Sequence, residues 1–167
     1  MTGPTCTLDR LIEEANAALS RARPDAAAQT MGLFVTLRGP GGAVRGSVGT
    51  TEPALPVAEL LPVLIREAAQ RDPREPPIGP TESIELELWL LPEGPRPVSD
   101  PPRIDPEKDA LRIRQGILSG TLLPDVAIAA GWDAETALAY ACRKAGLPAG
   151  AWREPGVEVV AFRAERL

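Results

Sequence analysis

Met31-Gly32-Leu33-Phe34-Val35-Thr36-Leu37-Arg38-Gly39-Pro40-Gly41-Gly42-Ala43-Val44-Arg45-Gly46-Ser47-Val48-Gly49-Thr50 is the stretch on which the fold turns. Met31, Leu33, Val35 and Leu37 alternate with Gly32, Phe34, Thr36 and Arg38, the period of a strand with one apolar face. Val44 to Thr50 reads as a second strand, and the glycine-rich spacer Gly39 to Gly42 is too short to do anything but send the chain straight back. The stretch therefore predicts a hairpin in the main sheet. In its second strand two glycines flank Ser47 and Arg45 precedes it. Backbone can be approached closely there beside a hydroxyl and a fixed positive charge, which makes Arg45, Gly46, Ser47 and Gly49 candidate ligand-binding residues. Strand parity places Arg45, Ser47 and Gly49 on one face, and Val44, Gly46 and Val48 on a second face that the valines mark as buried. The plainer reading of the same residues is a bulge or tight packing site in a central strand.

Working outward, Leu8, Leu11, Ile12, Ala15 and Leu19 fall on one helix face, with Thr7 placed to cap the helix and Arg21, Arg23 and Pro24 placed to end it. Val57, Leu60, Leu61, Leu64, Ile65 and Ala68 repeat at helical spacing beyond the hairpin. Pro62 lacks the donor for the Ala58 carbonyl, so this helix is expected to be regular only from Pro62 to Gln70. Asp72-Pro73-Arg74 follows as a stiff exit, read first as an ion pair and second as part of the candidate site. From Ser83 to Leu91, Ile84, Leu86, Leu88 and Leu90 oppose Glu85, Glu87 and Trp89, predicting a central strand with one solvated face. Pro92 to Pro106 holds six prolines, which predicts coil and an internal boundary. A second, smaller hairpin is expected between Ala110 and Leu123. Short helices are expected from Pro124 to Ala130 and, capped by Asp133, from Ala134 to Ala145, with a closing strand from Val157 to Arg163. Mixed elements without strict βαβ alternation imply an α+β fold with a largely antiparallel sheet flanked by helices and a smaller second subdomain around a hairpin.

Composition narrows the function classes. The chain has 167 residues, suiting one domain, and 44% of them are hydrophobic. A net charge of -5 without any basic block excludes phosphate-backbone binding as the main task, so no nucleic acid is expected. Only Cys6 and Cys142 are present, which fits free thiols in a reducing compartment. No basic segment with a following apolar run opens the chain, and no window approaches the roughly eighteen apolar residues of a membrane span. A cytoplasmic protein without membrane attachment is expected. Two distant cysteines and no histidine leave zinc without a ligand set, and no cofactor is expected. Cys142, on the apolar side of its helix, reads as a small core residue. Gly39 to Gly42 joins strand to strand without a following helix N-terminus, so it is a turn and not a phosphate loop.

Gly32-Leu33-Phe34-Val35-Thr36-Leu37, Val44-Arg45-Gly46-Ser47-Val48-Gly49, Asp72-Pro73-Arg74, Leu86 to Leu91, Leu122-Leu123-Pro124-Asp125-Val126, Gly131-Trp132-Asp133, Cys142-Arg143-Lys144-Ala145-Gly146-Leu147 and Trp152 come in the order seen in the AMMECR-type domain family. The chain resembles the A component of the AmmeMemoRadiSam system over nearly its whole length. The resemblance implies a single AMMECR-type domain over residues 1–167, an α+β fold in two unequal parts, and association with a Memo-type protein and a radical-SAM-type protein. The chain departs from the family at three points. Ser47 stands where a cysteine is usual, Lys108-Asp109-Ala110 replaces an expected histidine-glycine pair, and Glu75 replaces an aromatic.

These departures shape the functional expectation. With no histidine, neither a Cys-His nor a Ser-His arrangement is available. The residues favour a non-catalytic interaction or substrate-presenting domain working beside partner enzymes. The alternative is a small enzyme or anion-binding protein, in which Arg45 and backbone donors hold a small anionic ligand against Ser47, with Asp72 and Arg74 nearby.

Overall fold

The alternation around Val35 and the glycine-rich turn produce the hairpin they encode. In the computed structural model, which describes residues 7–167, β1 (Gly32–Arg38) and β2 (Val44–Thr50) pair antiparallel, with Val35 opposite Val48 and Thr36 opposite Ser47. Leu33, Val35 and Leu37 are fully buried. They pack against Leu11, Ala15 and Leu19 of α1 (Thr7–Ala22) and against Leu61, Leu64, Ile65 and Ala68 of α2 (Val57–Gln70). β3 (Glu85–Leu91) adds Leu88 and Leu90 to that core. A last short strand completes this sheet, which is ordered second hairpin strand, first hairpin strand, β3, then Glu165–Arg166.

The second sheet is built from β4 (Arg96–Pro97), β5 (Asp109–Gln115), β6 (Leu118–Leu122) and β7 (Glu158–Arg163), in the order β4-β7-β5-β6. The short strand Glu165–Arg166 that closes the first sheet is β8. β5 pairs antiparallel with both β6 and β7, and β4 with β7. Leu111, Ile113, Leu122 and Ala161 meet Ala137, Leu138, Ala141 and Cys142 of α4 (Ala134–Lys144), which follows α3 (Pro124–Ala130). Asp133 caps α4 by accepting a 2.8 Å hydrogen bond from the Thr136 amide. The chain divides into two compact units, one running to Leu90 and taking in Arg166–Leu167, the other spanning Leu91–Glu165. The architecture is α+β, with its strands shared between two four-stranded sheets.

Five local expectations need correction. β2 is an edge strand, not a central one. Val44, expected on the buried face, is 41% exposed, because the register slips between Leu37 and Arg38 and leaves it at the hairpin's end. α2 begins at Val57, before Pro62: its first turn is pinned by the Val57 amide donating to the Gln29 carbonyl at 2.9 Å and by burial of Val57 and Leu61. The cost of Pro62 is confined to the carbonyl of Ala58, an exposed residue where water can serve it. The proline-rich passage is not coil throughout, since Arg96 and Pro97 pair with β7 and the Val98 amide donates to the Val159 carbonyl. Pro97 is tolerated because β4 lies at the edge.

The fifth correction concerns Glu87, which does not lie on a solvated face. It is 5% exposed, accepts the Trp89 indole N–H at 2.7 Å, and faces the guanidinium groups of Arg38 (3.1 Å) and Arg166 (3.2 Å). A carboxylate can be buried when its charge is matched in this way. Thr7 begins the described part of α1, and its hydroxyl donates to the Pro80 carbonyl, tying the helix to a distant loop. Cys6 lies outside the described residues, and Cys142 is a buried free thiol whose pKa is pushed up by desolvation.

Candidate functional site

Three of the candidate residues, Ser47, Asp72 and Arg74, gather at the free edge of β2, where main-chain groups lack a neighbouring strand. Ser47 and Thr36 sit opposite each other, and their hydroxyls are 3.0 Å apart. Close side chains of this kind mark a pair that does not exchange main-chain hydrogen bonds, so the Ser47 N–H and C=O turn outward from the hairpin. Asp72 and Arg74 receive them. The Asp72 carboxylate accepts the Ser47 N–H at 3.0 Å, and the Arg74 guanidinium donates to the Ser47 carbonyl at 3.3 Å.

The sequence after α2 explains how these two side chains reach the edge. α2 stops at Gln70, Pro73 fixes the direction of the exit, and the Ile78 amide returns to the Ala69 carbonyl at 2.8 Å. Asp72 accepts from Arg74 three times, from its amide at 3.0 Å, its Nε at 2.9 Å and its Nη2 at 2.6 Å. The two form the ion pair expected of them and together imitate one residue of a neighbouring strand, with a carboxylate for the acceptor and a guanidinium for the donor. Asp72's side chain is 3% exposed. Its pKa is held well below the usual carboxylate range, first by the Arg74 side-chain hydrogen bond and further by the Arg74 and Ser47 amides, against an opposing desolvation.

The two glycines are there for close approach. A Cβ on Gly46 would lie 1.9 Å from the Ala68 carbonyl oxygen, because α2 crosses β2 at that point. On Gly49 it would meet the Phe34 ring at 2.3 Å and the Leu33 carbonyl at 2.5 Å. Arg45 is directed elsewhere. It forms an ion pair with Glu82 at 2.8 Å, and Glu82 also accepts the Gly79 amide at 3.1 Å. One guanidinium nitrogen of Arg45, Nη1, is buried without a hydrogen-bond partner.

A cleft of about 340 Å³ adjoins Ser47 and is lined by Ser47, Val48, Glu67, Arg71, Asp72, Pro73 and Arg74. Ser47, Asp72 and Arg74 are thus brought together, whereas Arg45, Gly46 and Gly49 do not line the cleft. Glu67 and Arg71 were missed. Their signal was present as an i, i+4 acid–base pair at the end of α2, immediately before Asp72. Chemically, the cleft offers an exposed cation at Arg71 and a hydroxyl without a competent base. Asp72 is the carboxylate closest to Ser47 by its contacts, and one held so firmly ionised accepts a proton poorly. Among the described residues no three His, Cys, Asp or Glu side chains cluster as a metal site would need, and no helix is long and apolar enough to cross a membrane.

A family model described as AMMECR1 matches residues 6–167. A Thermococcus kodakarensis protein, TK0174, is 41% identical over 148 residues, covering 82% of this chain and 72% of the relative. A Thermococcus gammatolerans protein is 40% identical over the same length and coverage. Among solved structures, the uncharacterized protein PH0010 from Pyrococcus horikoshii is similar with a TM-score of 0.81 and 32% identity, over 95% of this chain and 88% of that one.

Proposed function

The chain belongs to the AMMECR1 family, and from that premise we propose that it acts as a non-catalytic interaction or substrate-presenting component, working beside the Memo-type and radical-SAM-type partners that the family resemblance implies. The observation carrying this reading is the state of Ser47: its amide is held by Asp72, its carbonyl by Arg74 and its hydroxyl by Thr36. A nucleophilic serine needs a free hydroxyl and a base, and the chain has no histidine to supply one. The test is co-expression with the Memo-type and radical-SAM-type proteins of the same genome, followed by gel filtration and assay of the radical-SAM reaction. Co-elution that survives Ser47→Ala with the partner reaction intact is the expected result. Failure of the parent chain to co-elute with either partner overturns it.

The cleft beside Ser47 favours a second reading, a small enzyme or anion-binding protein. Arg71 is exposed there and Arg74 forms part of the wall. Calorimetric titration with inorganic phosphate separates the two readings: saturable binding abolished by Arg71→Ala supports the second, and no heat of binding leaves the first standing.

A further inference from the structure

The unit spanning Leu91–Glu165 carries a larger cleft of about 530 Å³, walled by α4 and by the segment from Ala149 to Arg153. The chain has only three Trp, one Tyr and two Phe, and Trp132, Tyr140 and Trp152 all line this cleft. The same unit has one further aromatic side chain, Phe162, which is buried. Trp152 is buried under Arg153, while Trp132 and Tyr140 present their rings on the open wall, and exposed aromatic surface beside arginines has the composition of a binding hot spot. The Trp132 and Tyr140 rings stand 4.7 Å apart between centroids and are tilted by 44°, and Tyr140 is 40% exposed. Arg153 lies 3.8 Å over the Trp152 ring with its charge met by Asp100 at 3.3 Å and Glu135 at 3.1 Å. Arg143, exposed in the last turn of α4, has no ion-pair partner among the described residues.

We propose that this cleft docks an extended, proline-bearing acidic segment of a partner protein, an inference that rests on the interaction reading above and gives it a surface. The wall decides the backbone of the occupant. It is made of a helix and a short helical turn (Ala151–Arg153), so it has no strand edge for a β-peptide to extend. A helical ligand would need a continuous apolar groove, and here Glu135, Arg143 and Arg153 interrupt the aromatic surface. A polyproline II segment needs neither, because its backbone stays hydrated and its rings pack on aromatic faces. The tilted Trp132–Tyr140 pair offers such faces. Arg143 supplies the charge complementarity, since its guanidinium is the one without a carboxylate and matches an acidic side chain on the segment.

The test is fluorescence anisotropy with a labelled peptide of Pro-Pro-Glu repeats, compared with Pro-Pro-Lys and Gly-Gly-Glu repeats, on the full chain. The Pro-Pro-Glu peptide should bind saturably, and Tyr140→Ala and Arg143→Glu should each weaken it at least about tenfold, while Tyr140→Phe retains it. Absence of binding by the parent, equal binding of Gly-Gly-Glu, or indifference to both substitutions overturns the proposal. Should Tyr140→Ala melt early, Arg143→Glu, a surface change, decides alone. Self-association of the parent that Tyr140→Ala abolishes in sedimentation would overturn it in favour of a second copy as occupant. Co-elution with the family partners that persists when the peptide does not bind sinks this cleft and spares the interaction reading. Loss of co-elution by the parent sinks that reading whatever the peptide does.

Discussion

Asp72→Ala should strip the cover from the edge of β2. The substitution removes four hydrogen bonds, one from the Ser47 amide and three from Arg74. Arg74's side chain is 62% exposed, so water takes over its three at a cost on the order of 0.5 kcal/mol in all. The Ser47 amide loses a charged acceptor, a bond worth roughly 1.5–3 kcal/mol, here near the low end because an edge amide can turn to water. The sum is about 2 kcal/mol, which lowers Tm by roughly 4–8 °C in a chain of this size. Asp72→Asn keeps an acceptor for Ser47 and should lose about half as much. Thermal melts give the totals, and hydrogen exchange localises them, since protection should fall at the Ser47 amide in Asp72→Ala. The pH dependence adds a second check. Because the folded-state pKa of Asp72 is depressed, its contribution is fully present above the ordinary carboxylate pKa, about 3.9, and is lost as pH falls below that toward the folded value. The gap between parent and Asp72→Ala should therefore be full at pH 7 and narrow below about pH 4. Equal melts at neutral pH, or a gap that stays constant under acid, would refute the reasoning.

Three further outcomes follow from the same geometry. Gly46→Ala places a methyl 1.9 Å from the Ala68 carbonyl, so α2 must shift, and chemical denaturation should record a loss of about 3 kcal/mol. Ser47→Cys nearly conserves volume and leaves the amide and carbonyl to Asp72 and Arg74, so denaturation should show a change under about 1.5 kcal/mol. Glu87→Ala leaves the Trp89 indole and two arginines without their acceptor, and a loss of about 2 kcal/mol is expected. A melt of Glu87→Ala indistinguishable from the parent would mean that this buried carboxylate is energetically idle.

What the sequence disclosed was local. Alternation around Val35 and Leu88, the turn glycines and the Asp133 cap act over a few residues, and such patterns are visible in one dimension. Glu87 misled because alternation records which face a residue takes, not what covers that face, and its partners lie 49 and 79 positions away at Arg38 and Arg166. Pro62 misled because the rule against proline within helices is a local penalty, and buried Val57 and Leu61 outweigh it. Asp72 with Arg74 was legible as an ion pair, yet its role on the Ser47 backbone depends on β2 being an edge strand, which only strand order settles. Arg45 and Ser47 share a strand face, but the capture of Arg45 by Glu82 depends on a loop 37 positions away.

The way the edge is covered bears on what a change at position 47 can do. Asp72 and Arg74 address the main chain of Ser47 and leave its side chain to Thr36. The side chain can therefore vary while the scaffold stays the same. The family resemblance puts a cysteine here, and a thiol ionises within reach of neutral pH, whereas a serine hydroxyl does not without a base. Reverting Ser47 to cysteine would restore an ionisable group beside the cleft without disturbing the strand that carries it. A thiol-directed reagent then reads the difference directly. If Ser47→Cys reacts faster than free cysteine near neutral pH, the cleft lowers a thiol pKa and retains an activating field that the serine does not use. If it reacts no faster, the surroundings serve the fold alone, and the case for an interaction role gains the support of chemistry as well as geometry.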